Sequence, residues 1–584
     1  MTNQRFPERA FKDKLSDLRH ALVNASYKTE NWIILLLVIL NITLRIPITP
    51  HPAGFDSYVT IWETKSMINS HELVLGTEPW EIKWVMFTLY GIQIGLEKGA
   101  HFLYPFSNPI LYQLNYSTLH QFTQLGLEQT LLLISILCGV LGFLTSYLMG
   151  REFVENKLMV YVIAFFYSTS PAFLYITSWQ GTLRMLFTAL FPLILWCFFK
   201  YQRKKDKKYI IFSLYLALAL FLIHRMGMLL PLAFLGFIFA QVYVRVYGFI
   251  QQRIKLFNKQ LPYVLPVLYM VIFGGLSLYP LFSNIGFFKN FRYEYASGLL
   301  TEGFQTPRIM LNLVVDYFQN EGLFLILALI GFVIFLEKLK RPVKNINYLT
   351  VAFILLFMTP FLLQGEYTTL YILAPLSVLV ALGFKGVSSF LGLMNNTLHL
   401  NYNATRIFII CSLILSLSFS ILMNNYLLLS PPSDYIKVNT YIDETSIAAV
   451  EYLDTLPGRV ALPLFINLAV HFASRSNYPD KMEFTLDNYG WSLYTIQNIL
   501  YFTEGNFSHA VEYEPYKGSW VTTAYMEPSL SPLLKDLNAE KDKIYSNGAI
   551  GVWELSPDPK DLVELKDQLE ANAGFYKEYN RQLY

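Results

Sequence analysis

A carboxylate and several histidines follow directly on an apolar run near the start of the chain. The segment HPAGFDSYVTIWETKSMINSHELVLGTEPWE, residues 51–81, places Asp56 a few residues beyond the run and carries His71 and Glu72 further on. A carboxylate at such a position can act as a general base that takes a proton from a hydroxyl. The three residues are also candidate ligands for a divalent metal, Mg²⁺ or Mn²⁺. Adjacent residues on a helix point apart, so we expect one of His71 and Glu72 to face solvent.

Cationic side chains stand at the ends of several apolar runs. Arg45, Arg184 and the pair His224–Arg225 each lie at or just inside such an end. A charge at that depth in a membrane is unfavourable and usually faces the interior of a helical bundle. Because a guanidinium binds phosphate through two parallel hydrogen bonds, these residues predict a phosphate-binding site. The alternative is that they snorkel to the membrane interface without binding a ligand.

Two further polar residues, Glu366 and Tyr367, lie in a very short connection between two apolar runs. A connection of that length must stay close to the membrane surface. We therefore expect Glu366 and Tyr367 to contact an acceptor or donor molecule that binds there.

The elements that position all these residues are membrane helices. The 584-residue chain is 54% hydrophobic and only 15% charged, which differs from the balance in soluble domains. A membrane span needs ~20 mostly apolar residues, and about 11 such runs are visible. We predict spans at 31–48, 128–149, 158–178, 182–200, 209–223, 227–246, 261–283, 320–336, 347–363, 367–388 and 407–425. The sequence therefore predicts a polytopic α-helical membrane protein.

Other compositional features exclude several classes of protein. The net charge of +3 is too small to suggest a nucleic-acid partner. The three cysteines lie far apart within apolar runs and predict neither a disulfide framework nor a metal site. Residues 1–30 are polar, so we expect no cleavable signal peptide and interpret the first span as an uncleaved anchor.

The distribution of lysine and arginine predicts the orientation. These residues concentrate in 1–30 and in the connections 200–208, 251–260 and 338–344, which share one side if the spans are correct. The positive-inside rule assigns that side to the cytoplasm. We therefore expect a plasma-membrane protein whose N-terminus is cytoplasmic.

This orientation divides the chain into three parts. They are a cytoplasmic segment 1–30, a transmembrane domain 31–430 with a long outer loop 49–127, and an extracytoplasmic soluble domain 431–584. In that last domain, DETSIAAVEYLDTLPG predicts a capped helix, and RVALPLFI and GAIGVWEL predict strands. We expect an α/β or α+β domain that covers the site or contacts the acceptor.

The outer loop predicts two helices. Apolar residues at helical spacing indicate a helix over 57–70, for which Asp56 is also a favoured N-cap; the catalytic and the capping roles can coexist. The stretch EPWEIKWVMFTLYGIQIG, residues 78–95, predicts an amphipathic helix that lies in the membrane interface. The alternative is a purely structural loop that anchors the bundle.

The order of these features resembles the GT-C type membrane glycosyltransferases. Arg45 near the end of the first span, then FDSY and an interfacial helix, is similar to the start of that class, in which the first outer loop carries an acid. Four segments are similar to archaeal relatives of the oligosaccharyltransferase catalytic subunit: HQFTQLGLEQTLLLISILCGVLGFLTSYLMGREF, SPAFLYITSWQGTLRMLFTALFPL, YTTLYILAPLSVLVALG and KIYSNGAIGVWEL. The resemblance covers roughly residues 30–430.

The resemblance implies transfer of a sugar from a polyprenyl-phosphate-linked donor to a protein, glycan or lipid acceptor on the outer face of the membrane. Asp56 would be the general base, and Arg184, Arg225, His224 and Arg45 would bind the donor phosphate. The chain also departs from the oligosaccharyltransferase pattern. TSWQGTLR lacks the second acidic motif, and DNYGW replaces the Trp-Trp-Asp signature. These departures argue against transfer to peptide asparagine and leave a metal fewer ligands.

Two other functions stay open. A lipid or polysaccharide transporter or flippase also needs charges inside a bundle. Transporters often have repeated halves and helices broken at mid-membrane, whereas here the charged groups gather at one face beside a long loop. The second alternative is a non-catalytic scaffold with a GT-C-like fold, which the missing second acidic motif allows.

Overall fold

The computed structural model describes residues 30–47, 51–52, 55–70, 87–89, 92–94, 110–178, 184–253, 261–283, 318, 321–359, 365–397, 404–429, 444–455, 459–461, 482–483, 507–513, 543–546 and 550–554. His71 and Glu72 lie outside these residues.

Helices make up most of the described chain. They are α1 Glu30–Thr43, α2 Phe55–Ser70, α3 Ile110–Thr123, α4 Leu127–Phe153, α5 Lys157–Thr169, α6 Pro171–Ile176, α7 Arg184–Lys204, α8 Lys208–Ile223, α9 Leu230–Arg253, α10 Leu261–Ser283, α11 Phe324–Leu339, α12 Ile346–Met358, α13 Gly365–Thr397, α14 Ala404–Leu429 and α15 Glu444–Thr455. A short 3₁₀ turn, Arg225–Leu229, connects α8 to α9.

The helices identify a multi-pass membrane protein. Among the described residues, 5 helices are long and apolar enough to cross a membrane, namely α4, α7, α9, α13 and α14. The other predicted spans coincide with the shorter helices α1, α5, α8, α10, α11 and α12. Many large apolar side chains on these helices are exposed, such as Leu218 and Ile414, which suits contact with lipid.

One predicted span is broken. Instead of a continuous helix over 158–178, α5 ends at Thr169 and α6 begins at Pro171. Proline lacks the N–H that would continue the helix but fits a first helical turn. The Ser170 side chain caps the new helix by accepting a hydrogen bond from the Phe173 N–H. The chain can therefore change direction at this point, inside the bundle.

Close packing holds the bundle together. Helix α4 packs against α5 and α7, α9 packs against α12, and α11 packs against α13. The contact of α11 with α13 depends on a pair of glycines. A Cβ on Gly331 would lie 1.8 Å from the Leu379 carbonyl oxygen, and one on Gly383 would lie 1.9 Å from that of Leu327. Only glycine lets the two backbones approach so closely.

The bundle has two ends, which we call the basic end and the opposite end. At the basic end, Glu152 near the end of α4 pairs with Lys200 and Arg203 near the end of α7. The Asn347 amide of α12 also donates to the Glu152 carbonyl there. At the opposite end, α1 ends, α6 lies, and α4, α7 and α13 begin.

The outer loop differs from one prediction. Helix α2 lies where a helix was predicted, and it packs against α3 and α4. The predicted interfacial helix over 78–95 is wrong, because Phe87–Leu89 (β1) and Ile92–Ile94 (β2) form an antiparallel pair. These strands consist mainly of aromatic, β-branched and leucine side chains, and a glycine stands between them in sequence, a composition that favours a hairpin.

The tail contains the helix and strands that its sequence predicts. Helix α15 is followed by β3 Arg459–Ala461, β4 Met482–Glu483, β5 Phe507–Tyr513, β6 Lys543–Ser546 and β7 Ile550–Glu554. The strands form a mixed sheet in the order β4-β3-β5-β7-β6. Strand β3 is parallel to both neighbours, whereas β7 is antiparallel to β5 and β6.

Candidate functional site

Of the predicted site residues, Arg45 is the most completely described, and it lies at the opposite end of the bundle. Its guanidinium is fully buried just beyond the end of α1. Nε donates to the Thr177 hydroxyl at 2.9 Å, and Nη1 donates to the carbonyl and side-chain oxygens of Asn41 at 3.0 Å each. Nη2 donates to the Ser168 carbonyl at 3.1 Å. Arg45 thus ties the end of α1 to both sides of the α5–α6 break.

An aromatic ring and a glycine pack closely around Arg45. The guanidinium carbon lies 5.4 Å from the centre of the Phe173 ring, which permits a cation–π contact. Helix α4 presents Gly139, where a Cβ would lie 1.8 Å from the Arg45 Nε atom. The acceptors of Arg45 in the described chain are all neutral. A donor phosphate that bound Arg45 would have to compete with these protein oxygens.

Asp56 lies one residue inside helix α2. The helix begins at Phe55, so the backbone does not place Asp56 at the N-cap that the sequence suggested. The first turn of a helix still favours a carboxylate, because its free N–H groups carry partial positive charge. The side chain of Asp56 lies outside the described part of the chain.

The start of α2 is held in place on both sides of Asp56. The Tyr58 hydroxyl donates to the Pro52 carbonyl at 2.7 Å, which ties the first turn of α2, where Asp56 lies, to the residues that precede the helix. Just before that turn, the His51 Nδ1 atom lies 3.3 Å from an oxygen of Glu128 in the first turn of α4.

Tyr371 of α13 contacts the two elements that carry the predicted residues Arg184 and Arg225. Its hydroxyl donates to the Met226 carbonyl in the 3₁₀ turn at 2.8 Å. Its ring lies 5.4 Å from that of Phe187 in the first turn of α7. Arg184 starts α7 one turn from Phe187, and Arg225 directly precedes Met226. The backbone therefore brings the beginning of α7 and the 3₁₀ turn together around one tyrosine.

The same neighbourhood includes Glu366 and Tyr367, which lie in the first turn of α13, about one turn before Tyr371. The side chains of Arg225, Glu366 and Tyr367 lie outside the described part of the chain. His224 is buried and its Nδ1 atom accepts a hydrogen bond from the Met226 N–H at 3.0 Å. His224 thus caps the 3₁₀ turn and fixes the position from which Arg225 starts.

Sequence reasoning missed Glu321. The residue is helical and lies three residues before the start of α11, within a run that the sequence assigned to a membrane span. Its side chain is 1% exposed, and neither carboxylate oxygen has a hydrogen-bond partner among the described residues. Its neighbour Gly322 has a φ of +75°, a conformation that favours glycine. The Asn-Glu-Gly sequence at 320–322 is a turn signal that could have separated Glu321 from the span.

The described residues do not assemble a metal site. No group of three or more His, Cys, Asp or Glu residues in the described ranges lies close enough to hold a metal ion. His71, Glu72 and the side chain of Asp56 are outside those ranges. The residues in the described ranges therefore form no metal site by themselves.

Comparisons with known proteins place the fold. The sequence matches no protein-family profile and no curated protein. The structure is similar to archaeal oligosaccharyltransferase AglB from Archaeoglobus fulgidus in complex with an inhibitory peptide and a dolichol-phosphate, with a TM-score of 0.50 and 13% identity. That match covers 90% of this chain and 74% of the other.

Two other solved structures are similar at lower scores. The Archaeoglobus fulgidus oligosaccharyltransferase in complex with Zn and sulfate gives a TM-score of 0.49 at 14% identity, over 89% of this chain and 72% of that one. ArnT from Cupriavidus metallidurans in the apo state gives 0.47 at 13% identity, over 91% and 100%. The match to AglB confirms, at the level of the fold, the predicted resemblance to GT-C type membrane glycosyltransferases and archaeal oligosaccharyltransferases.

Proposed function

We propose that this protein is a membrane glycosyltransferase that moves a sugar from a polyprenyl-phosphate-linked donor to an acceptor at the outer face of the plasma membrane. The observation that carries the proposal is the convergence around Tyr371. It gathers the starts of α7 and α13 and the 3₁₀ turn at the end of the bundle where α2 also lies. The shared fold supports the same reaction class, because the archaeal oligosaccharyltransferase was solved with a dolichol-phosphate.

In this proposal the donor phosphate is bound by Arg184 and Arg225. Both residues belong to elements that contact Tyr371, so their backbones start from neighbouring positions in the bundle. The fork of an arginine matches a phosphate through parallel hydrogen bonds. His224 supports Arg225 through its cap on the 3₁₀ turn. Glu366 and Tyr367 would contact the sugar or the acceptor from the first turn of α13.

Asp56 is the proposed general base. The acceptor hydroxyl oxygen attacks the anomeric carbon, the bond from that carbon to the phosphate oxygen breaks, and polyprenyl phosphate leaves. The hydroxyl proton passes to the Asp56 carboxylate. The alternative source of positive charge is a divalent metal, Mg²⁺ or Mn²⁺, on Asp56 with His71 or Glu72. Loss of transfer with a chelator and its recovery with one of these ions would favour that alternative.

The proposal includes the full domain arrangement. In this arrangement the protein has about 11 membrane spans, a cytoplasmic segment 1–30, a transmembrane domain 31–430 and an extracytoplasmic domain 431–584.

To test the orientation, a cysteine is introduced at Ser546 and intact cells are treated with an impermeant thiol reagent. We expect labelling at Ser546→Cys and protection at a control site, Lys204→Cys, at the basic end. Labelling of the control site alone would reverse the orientation.

The function is tested with the full chain in lipid nanodiscs and a polyprenyl-phosphate sugar. We expect release of polyprenyl phosphate and appearance of the sugar on an acceptor. A lipid transporter would instead move the intact donor between the leaflets of a proteoliposome, and a scaffold would leave the donor unchanged. Donor movement without cleavage, or no reaction with any donor in a panel of sugars, would contradict the proposed function.

A further inference from the structure

A contact between the first outer loop and the start of α4 is not used by the mechanism above. The His51 Nδ1 atom and an oxygen of Glu128 are 3.3 Å apart, and the two side chains are only 14% and 16% exposed. A hydrogen bond this far from bulk water is stronger than one at an exposed surface. The two residues are 77 positions apart in sequence, so only the tertiary structure brings them together.

The position of Glu128 is fixed by the packing of α3 against α4. It lies in the first turn of α4, where the helix dipole favours a carboxylate. The hydroxyl of Tyr116, a fully buried residue of α3, donates to the Leu127 carbonyl beside it. Helices α3 and α4 are thus fixed to each other at the position of Glu128. A partner of Glu128 is thereby fixed relative to the bundle.

His51 connects this fixed position to the start of α2. Pro52 follows His51 directly, and its carbonyl accepts the hydrogen bond from Tyr58 that ties the first turn of α2 to the residues before it. Within the helix, Tyr58 and Thr64 of α2 are fully buried. The His51–Glu128 contact therefore anchors the residues before α2, and the buried face of α2 anchors the helix.

We propose that His51 and Glu128 are positioning residues that hold the first turn of α2, and with it Asp56, against the start of α4. The inference rests on the proposed function, because it assigns the pair to the placement of the proposed base. The pair does not touch the reacting atoms. Its loss leaves Asp56 chemically intact but allows the turn to move, and a displacement of ~1 Å can lower a rate ~100-fold.

The first test measures how easily the first turns of α2 open and does not depend on transfer activity. Backbone hydrogen exchange over α2 is followed by mass spectrometry in the full chain and in Glu128→Ala and His51→Ala. We expect exchange in the first turns of α2 to rise about tenfold or more in both variants, as local opening becomes easier. Glu152→Ala, which removes a carboxylate from the other end of the same helix, is the matched control and leaves exchange in α2 unchanged. Unchanged exchange in Glu128→Ala would overturn the proposal.

The second test measures transfer. We expect kcat to fall ~10–100-fold in Glu128→Ala with KM for the donor unchanged. The double variant His51→Ala/Glu128→Ala should be no slower than the slower single variant, because the two residues act as one unit. His51→Gln retains a side-chain hydrogen-bond donor and should recover most of the rate. Additive losses in the double variant, or a normal kcat in Glu128→Ala, would overturn the proposal.

The two tests also separate this proposal from the proposed function. If Asp56→Asn transfers sugar at the wild-type rate, Asp56 is not the base and the assignment of the pair to catalysis is overturned. The exchange measurement still decides whether the pair holds the turn. Both proposals are supported if Asp56→Asn abolishes transfer and if Glu128→Ala both raises exchange in α2 and lowers kcat.

Discussion

The two ends of the helical bundle treat charge in different ways. At the basic end, carboxylates meet cations. Glu152 pairs with Lys200 and Arg203, and Glu30 with Lys157. In the connection between α7 and α8, the Lys208 side chain lowers the pKa of the Asp206 carboxyl below its ordinary value by hydrogen bonding to it.

At the opposite end, two buried charged residues have neutral neighbours in the described part of the chain. Arg45 donates to hydroxyl, amide and carbonyl oxygens, and Glu321 has no hydrogen-bond partner among the described residues. Among the described residues at this end, His51 and Glu128 form a side-chain contact between a histidine and an acid. A charge that is already paired contributes to the fold, whereas one held among neutral groups can respond to a charged ligand. We therefore expect ion pairs to stabilise the basic end, and the proposed function places the chemistry at the opposite end.

The largest expected effect comes from Asp56→Asn. An asparagine keeps the size of the side chain but cannot take a proton, so we expect transfer to fall ~100-fold or more. The thermal unfolding temperature and donor affinity should stay within error of wild type. Asp206→Asn, at the basic end, is the control and should transfer normally. Equal losses in the two variants would remove the distinction between the ends.

The next effect tests the packing around Arg45. In Gly139→Ala, the new Cβ would meet the guanidinium that four hydrogen bonds hold in place. We expect the free energy of unfolding to fall by about 1–3 kcal/mol, measured by thermal unfolding in detergent. Gly275→Ala on α10 is the matched control, because a Cβ there has no heavy atom within 4 Å. A Gly139→Ala protein as stable as the control would show that Arg45 can move.

A smaller effect is expected from Arg184→Lys. Lysine keeps the charge but loses the fork of donors, so the affinity for the donor should weaken ~10-fold, about 1.4 kcal/mol. Binding of a polyprenyl-phosphate lipid is measured directly, by calorimetry or by fluorescence. Arg203→Lys, at the other end of the same helix, changes the same chemical group and should bind the lipid as wild type does. Equal weakening in both variants would indicate a general charge effect.

The smallest effect on transfer is expected at the basic end. Glu152→Gln removes the charge that Lys200 and Arg203 share, and the Glu152 side chain is 7% exposed. We expect a loss of about 1–2 kcal/mol in the free energy of unfolding and no change in the transfer rate. Glu155→Gln, an exposed neighbour, should change stability by less than ~0.5 kcal/mol. A transfer rate that falls with Glu152→Gln would contradict the division between the ends.

Much of the fold could be predicted from the sequence because hydropathy is local. Apolar runs marked the positions of the membrane helices, and turn residues with alternating apolar residues marked β3 and β7 in the tail. The predicted span 182–200 overlaps α7, Arg184–Lys204. The hairpin β1–β2 was missed because its short apolar strands also fit the period of an amphipathic helix, which the sequence alone does not separate.

Sequence alone indicates where apolar helices lie and which connections carry the positive charge, since both depend on the composition of short segments. Only the tertiary structure decided what each polar group contacts. Arg45 reaches acceptors more than 100 residues away, and Tyr371 joins the 3₁₀ turn to α13 across 145 positions. Such contacts depend on which helices become neighbours and on the break at Ser170–Pro171, which brings Ser168 and Thr177 within reach of one guanidinium. Helix neighbours are set by packing over the whole bundle, and no local pattern encodes them.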